Sequence, residues 1–191
     1  MAAGLGRRMI CTCHYNSPLG GITLASDGTA LTGLWFDGMP MSGTGGTASG
    51  GGEQEPAVFA EAIRWLDIYF SGRDPGFIPP LSLKGTPFRR AVWEILRGIP
   101  FGNTMTYGEI AGILAGQRGI PRMSAQAVGS ALGHNPLLVI IPCHRVVGTG
   151  GRLAGYAGGP ERKAWLLNLE GATGWSRRQP GGDSPGSASG N

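Results

Sequence analysis

Cys143 and His144 stand side by side in residues 141–148, IPCHRVVG, directly after the apolar run PLLVI. A thiolate, not a thiol, is the nucleophile, and an unassisted cysteine ionises only near pH ~8.5. An adjacent imidazole supplies the missing base if it can reach the proton, and a carboxylate usually holds its ring. Neighbours on a regular strand point to opposite faces, so the pair works together only if the chain turns sharply there. Pro142 makes such a turn reasonable. Glu170, far along the chain, is the candidate carboxylate. The alternative is that Cys143 is simply a small buried hydrophobe.

The other two cysteines, Cys11 and Cys13, precede His14 in CTCH. An odd count with one isolated cysteine does not suggest a disulfide framework. The cluster would need ligands from elsewhere to hold a metal; alternating cysteines on a first strand is the simpler account. No metal and no cofactor is expected.

These residues need elements to position them. ICTCHYNSPLGGITLASDGTALTGLWF alternates short β-prone runs with turn signals, which reads as a meander of two or three strands. AVFAEAIRWLDIYFSG carries apolar residues at helical spacing and stops at Gly72. TPFRRAVWEILRGIPFG opens with an N-cap and a proline, Thr86-Pro87. TYGEIAGILAG follows Thr106 with Glu109 three residues on, a capping box. A third helix, MSAQAVGSALGH, completes a pattern like a helix-turn-helix with a long connection. NPLLVIIPCHR signals a buried strand, and a last helix runs from about Pro160 to Gly171.

The chain is therefore α+β. Residues 1–85 form a small N-terminal α/β domain with a flexible glycine-rich insert at 41–56. Residues 86–175 form a mainly helical domain, and residues 176–191 a disordered tail.

The third helix is unusually rich in small residues: Ser124, Ala125, Ala127, Gly129 and Ser130 among them. Glycine and serine are poor helix formers. Either the helix packs closely against another, or it is slim so that it can enter a narrow space such as the DNA minor groove. Charge bears on the choice. Residues 1–85 hold 5 basic and 7 acidic side chains (−2); residues 86–170 hold 9 and 4 (+5). A basic second half fits a polyanionic partner, although an ordinary solvated face has the same signature. No run reaches the ~20 apolar residues of a membrane helix, and MAAGLGRRMICTCH lacks the apolar core of a secretory signal. A cytoplasmic location, or a nuclear one in a eukaryote, is expected.

Several of these stretches together resemble one family, the O6-alkylguanine-DNA alkyltransferases. IPCHRVVG is similar to its active-site signature, TYGEIA to the segment with its tyrosine, AVGSALGHNP to its recognition helix and asparagine hinge, GYAGG to its substrate loop, and LLNLEG to the segment with its glutamate. SPLGGITLASDG and LTGLWF resemble its N-terminal domain.

The resemblance implies a ribonuclease-H-like first domain and a winged-helix-like second domain that carries DNA binding and the active site. It implies a monomer that repairs O6-alkylguanine, and O4-alkylthymine, in double-stranded DNA by moving the alkyl group irreversibly to Cys143. His144 would take the thiol proton through a water, with Glu170 orienting it. Tyr107 would donate to the departing base, and Asn135 would tie the recognition helix to the active-site turn. The carbonyls of Cys143 and Val146 would select guanine, with Tyr156, Ala157 and Gly158 walling the pocket. Ala157 stands where some relatives have serine, so any hydroxyl contribution is absent.

DNA contacts would come from Arg122, Ser124, Ala125, Gln126, Ala127, Gly129 and Arg145. Gln126 departs from the family pattern, in which an arginine commonly fills the space of the flipped base. Glutamine is uncharged and stacks less well. Two other classes remain open: a Cys-His-Glu hydrolase that turns over, and a protein that binds alkylated bases without repairing them.

Overall fold

The computed structural model describes residues 10–39, 48–49 and 56–176. The glycine-rich insert, apart from its residues 48, 49 and 56, and residues 177–191 lie outside the described residues.

Three strands, β1 (Ile10–Ser17), β2 (Gly20–Ser26) and β3 (Leu31–Phe36), form an antiparallel meander. A two-residue strand, β4 (Ala48–Ser49), pairs parallel with β1, giving the order β3-β2-β1-β4. Helix α1 (Ala57–Phe70) packs on β1 and β2 through Val58, Phe59, Ala62, Trp65, Leu66 and Tyr69, the stripe its periodicity requires.

β3 is buried along its whole length, so both of its faces are covered. Its backbone also bonds outside the sheet. Leu34 N–H donates to Pro136 C=O, and Leu138 N–H to Leu34 C=O. The strand thereby grips the segment that leads into Cys143.

The second half is helical. α2 (Pro87–Arg97) starts where Thr86 accepts the Arg89 N–H, with proline at its first position. α3 (Tyr107–Arg118) starts with the expected capping box: the Thr106 hydroxyl accepts from Glu109 N–H, and the Glu109 carboxylate accepts from Thr106 N–H. α4 (Ala125–Gly133) is capped by Ser124, and α5 (Pro160–Leu169) starts at its own proline. A short parallel pair, β5 (Met105–Thr106) with β6 (Val146–Val147), lies between them. One apolar core runs through both halves, from Ile22 and Phe36 to Val92, Leu114, Val128 and Ile141.

The expected strand through PLLVI is not a strand. Leu137 makes a single bridge to Leu34, and the chain then folds on itself. Ile140 N–H bonds back to Leu138 C=O around Val139, which has φ 68°. Cys143 N–H bonds back to Ile141 C=O around Pro142, at φ −80° and ψ 62°. These are two three-residue turns, the first of the rare type with positive φ. A β-branched residue there is strained by about 1–3 kcal/mol. A short apolar run has the same composition whether it is a buried strand or a buried knot of turns. Flanking prolines, which lack N–H groups, and the Asn135 side chain decide for turns here.

Candidate active site

Those two turns deliver Cys143 to the start of a single 3-10 turn, Cys143–Arg145. The sharp corner demanded by an adjacent Cys-His pair is therefore present. Asn135 holds it in place. Its Oδ1 accepts from Leu137 N–H at 3.0 Å, and its Nδ2 donates to Ile141 C=O at 2.9 Å and to Cys143 Sγ at 3.1 Å. One amide thus fixes the turn and points a donor at the sulfur.

Cys143 is 2% exposed. Burial pushes its thiol up to about 11, against the opposing help of the Asn135 amide, the Lys163 charge and the N–H groups of Cys143 and His144. The resting group is a thiol, so its proton must leave during reaction.

His144 is fully buried, and burial holds its imidazole below the ordinary histidine value. Its Nε2 lies 2.7 Å from Glu170 Oε1. Burial alone would raise Glu170, but its bonds and charge interactions with His144 and Arg145 outweigh this and bring it down to about 2. An ionised carboxylate only accepts, so Nε2 carries the proton and Nδ1 keeps a lone pair. Nδ1 is buried and has no partner among the described residues, and the same is true of the Tyr156 hydroxyl.

Glu170 accepts further bonds from Arg145 Nε at 2.8 Å, Arg145 Nη2 at 3.1 Å, Gly102 N–H at 3.1 Å and the Tyr69 hydroxyl at 2.6 Å. Arg145 also donates to Ile99 C=O and lies over the Phe101 ring. Arg145, expected on the DNA face, is instead turned inward at 8% exposure. A guanidinium committed to a carboxylate and a carbonyl has little left for a phosphate.

A cavity of about 590 Å³ opens beside Cys143. Tyr107, Ala154, Gly155, Tyr156 and Ala157 wall it, and Ala125, Gln126, Gly129 and Ser130 of α4 line it. Tyr107 donates to the carbonyls of Ala154 and Gly155. Burial, then the neighbouring Cys143, pushes its phenol up to about 12. Lys163, nearly fully buried, donates to the carbonyls of Val146, Ala154 and Gly155, and burial lowers it to about 8. It ties the loop wall to β6.

On α4 the buried residues are Val128, Ala131 and Leu132, while Ser124, Ala125, Gln126 and Ser130 are exposed. The small residues at its start therefore line the cavity or face solvent rather than forming the face packed on α2 and α3. Arg122 is exposed before α4, and Ala127 N–H takes the Ser124 cap. Gly158 lies outside the cavity, but a Cβ there would come within 2.5 Å of Tyr156 Cε1, so it leaves the ring its room. The Val146 carbonyl is engaged by Lys163. β1 sends Cys11 and Cys13 toward the core and His14 to the opposite face, near Asp37, so CTCH does not converge.

The family profile described as "6-O-methylguanine DNA methyltransferase, DNA binding domain" matches residues 87–172, and that of the family's ribonuclease-like domain matches residues 10–83. The chain is 43% identical over 160 residues to a Mycobacterium tuberculosis methylated-DNA–protein-cysteine methyltransferase, covering 82% of this chain and 92% of the relative. The chain belongs to this methyltransferase family. A crystal structure of the M. tuberculosis O6-methylguanine methyltransferase superposes with a TM-score of 0.72 at 41% identity, covering 85% of this chain and 93% of that one. A structure of M. tuberculosis OGT in complex with DNA gives 0.70 at 41% identity, covering 85% and 92%.

Within this methyltransferase fold, sequence reasoning missed Tyr69 and Lys163. Tyr69 had a signal. A tyrosine on the buried stripe of α1 needs a buried partner for its hydroxyl. Lys163 had none beyond its place on an amphipathic helix.

Proposed function

We propose that this chain repairs O6-alkylguanine, and O4-alkylthymine, in double-stranded DNA by transferring the alkyl group once, and irreversibly, to Cys143. The observation that carries this reading is Cys143 beside a base-sized cavity, with the Asn135 amide on its sulfur and a His144–Glu170 pair behind it. Pockets of about 300–1,000 Å³ suit ligands of this size.

The target base leaves the duplex to reach the sulfur. The exposed small residues of α4 let the backbone approach the minor groove, and Gln126 stands beside the position the base vacates. In the cavity, His144 Nδ1 receives the thiol proton, with a water as relay. Sulfur attacks the alkyl carbon; the S–C bond forms as the C–O6 bond breaks, and the bonding pair stays with guanine. Tyr107 donates a hydrogen bond to the base as negative charge develops. Its raised pKa favours donating that bond over losing the proton outright. The proton lifted from the thiol finally replaces the alkyl group on guanine, and Cys143 is left as a thioether. A thioether does not hydrolyse under cellular conditions, so each chain acts once and no cofactor takes part.

The protein works as a monomer in the compartment that holds the DNA. No helix among the described residues is long and apolar enough to cross a membrane.

Incubating a duplex that holds one O6-methylguanine with increasing protein, then digesting the DNA and counting the modified base, tests the reading. The expected result is loss of one lesion per chain, with a plateau. Continued turnover would favour a hydrolase, and tight binding without loss a sensor.

A further inference from the structure

Glu170 is held by more donors than a carboxylate needs to orient one imidazole. One of them comes from the N-terminal half of the chain. Tyr69 sits at the end of α1, fully buried, with its ring stacked on Trp65 at 5.1 Å and edge-on to Phe101 and His144. Its hydroxyl lies 2.6 Å from Glu170 Oε1 and 3.2 Å from His144 Nε2. The Nε2 proton goes to that same Oε1 at 2.7 Å. With Arg145 Nη2 also donating to it at 3.1 Å, three donors share this one oxygen, and Tyr69 and His144 lie nearest to it.

We infer that Tyr69 is a positioning residue for alkyl transfer, which sets the basicity of His144 by sharing the Glu170 oxygen that its Nε2–H uses. This rests on the alkyl-transfer reading above. A carboxylate oxygen already accepting a phenol has less charge to offer an imidazolium, so Tyr69 keeps His144 from holding a proton too firmly. The phenol also closes the space beside Nε2, which keeps the ring's other nitrogen, Nδ1, as the acceptor.

The groups that bear on this triangle are known from every side. The 3-10 turn contributes Cys143 and Arg145, α5 contributes Lys163, the loop contributes Tyr156, and the residue after α5 is Glu170 itself. Burial acts most strongly against protonation of His144, Glu170 favours it, and the charges of Arg145 and Lys163 oppose it. α1 places Trp65 and Phe70 around Tyr69, and both are uncharged.

Tyr69→Phe keeps the stacked ring and removes only the hydroxyl. The test is the pH–rate profile for single-turnover methyl transfer, together with ring-nitrogen NMR of His144 without DNA. In the variant, the acid limb of the profile moves up by about half a unit to one unit, because His144 now holds its proton more firmly. The rate on that limb falls about 3- to 10-fold, while DNA affinity is unchanged. A merely structural tyrosine would move neither the limb nor the titration of the ring.

A 3-fluorotyrosine at position 69 is a stronger donor of the same shape. It moves the limb down, and it carries the test if the phenylalanine variant does not fold. A limb and a ring titration identical to the wild type overturn the inference. If the wild type transfers no alkyl group, the functional reading fails, and the NMR titration still decides whether Tyr69 tunes His144.

Discussion

Asn135 holds the Cys143 sulfur, His144, Arg145 and Glu170 form a linked set of hydrogen bonds and ion pairs beside it, and their charge states follow from burial set against those bonds. Glu170 has the largest consequence for pH. Its folded value, about 2, lies below the ordinary 4.5, so the stability it confers is complete above pH 4.5 and drains away as pH falls toward 2. His144 acts in the same direction. It is buried neutral and its folded value is lowered, so stability begins to fall as pH drops through 6.5, where the unfolded chain takes up the proton. Glu170→Gln should destabilise the protein by about 3–5 kcal/mol at pH 7, because it leaves Arg145 buried without its carboxylate. It should also flatten the loss between pH 5 and pH 2. Denaturant titrations across that range measure both, and an unchanged acid arm would mean that another group governs it.

At the scale of elements, α4 carries Gln126 at the position where the family resemblance implies an arginine. Gln126 is exposed on the cavity-lining side of the helix, where a guanidinium would add a charge for phosphates and a flat group for stacking. Gln126→Arg should tighten binding to lesion-containing duplex and speed transfer, about 3- to 10-fold each, with no change in reaction at the free modified base. Equal rates on DNA would remove Gln126 from the flipping step.

The helices were legible in the sequence because their caps were. Thr86-Pro87 and the Thr106–Glu109 box do locally what their spacing implies. The Cys143 turn was legible only in part. PLLVI has the composition of a strand, and only the Asn135 side chain and the flanking prolines convert it into turns. The direction of Arg145 was not legible. An arginine next to a reactive cysteine reads as a DNA contact until Glu170 and the Ile99 carbonyl are seen to claim it. Tyr69 was hidden by distance, since 101 residues separate it from Glu170.

Among the described residues the main apolar core spans both halves, with the first half gripping the reactive turn. β3 bonds to residues 136 and 138, α1 supplies Tyr69, and Arg162 reaches from α5 across the Phe36 ring to the Leu19 carbonyl. A methyl group added to Cys143 must fit beside the Asn135 amide that donates to its sulfur, in a residue that is 2% exposed. Overpacking of this kind costs about 1–3 kcal/mol. The alkylated protein should therefore melt several degrees below the unreacted one. A melting temperature that stays level or rises would show that the cavity absorbs the group without strain.

The central claim is that Cys143 itself keeps the alkyl group. Intact-protein mass after incubation with a duplex carrying one O6-methylguanine, followed by peptide mapping, tests it most directly. The account predicts a gain of one methyl group per chain, located on the peptide that contains Cys143 and lost in Cys143→Ser. An unmodified protein, or a methyl group that persists in the serine variant, would contradict it.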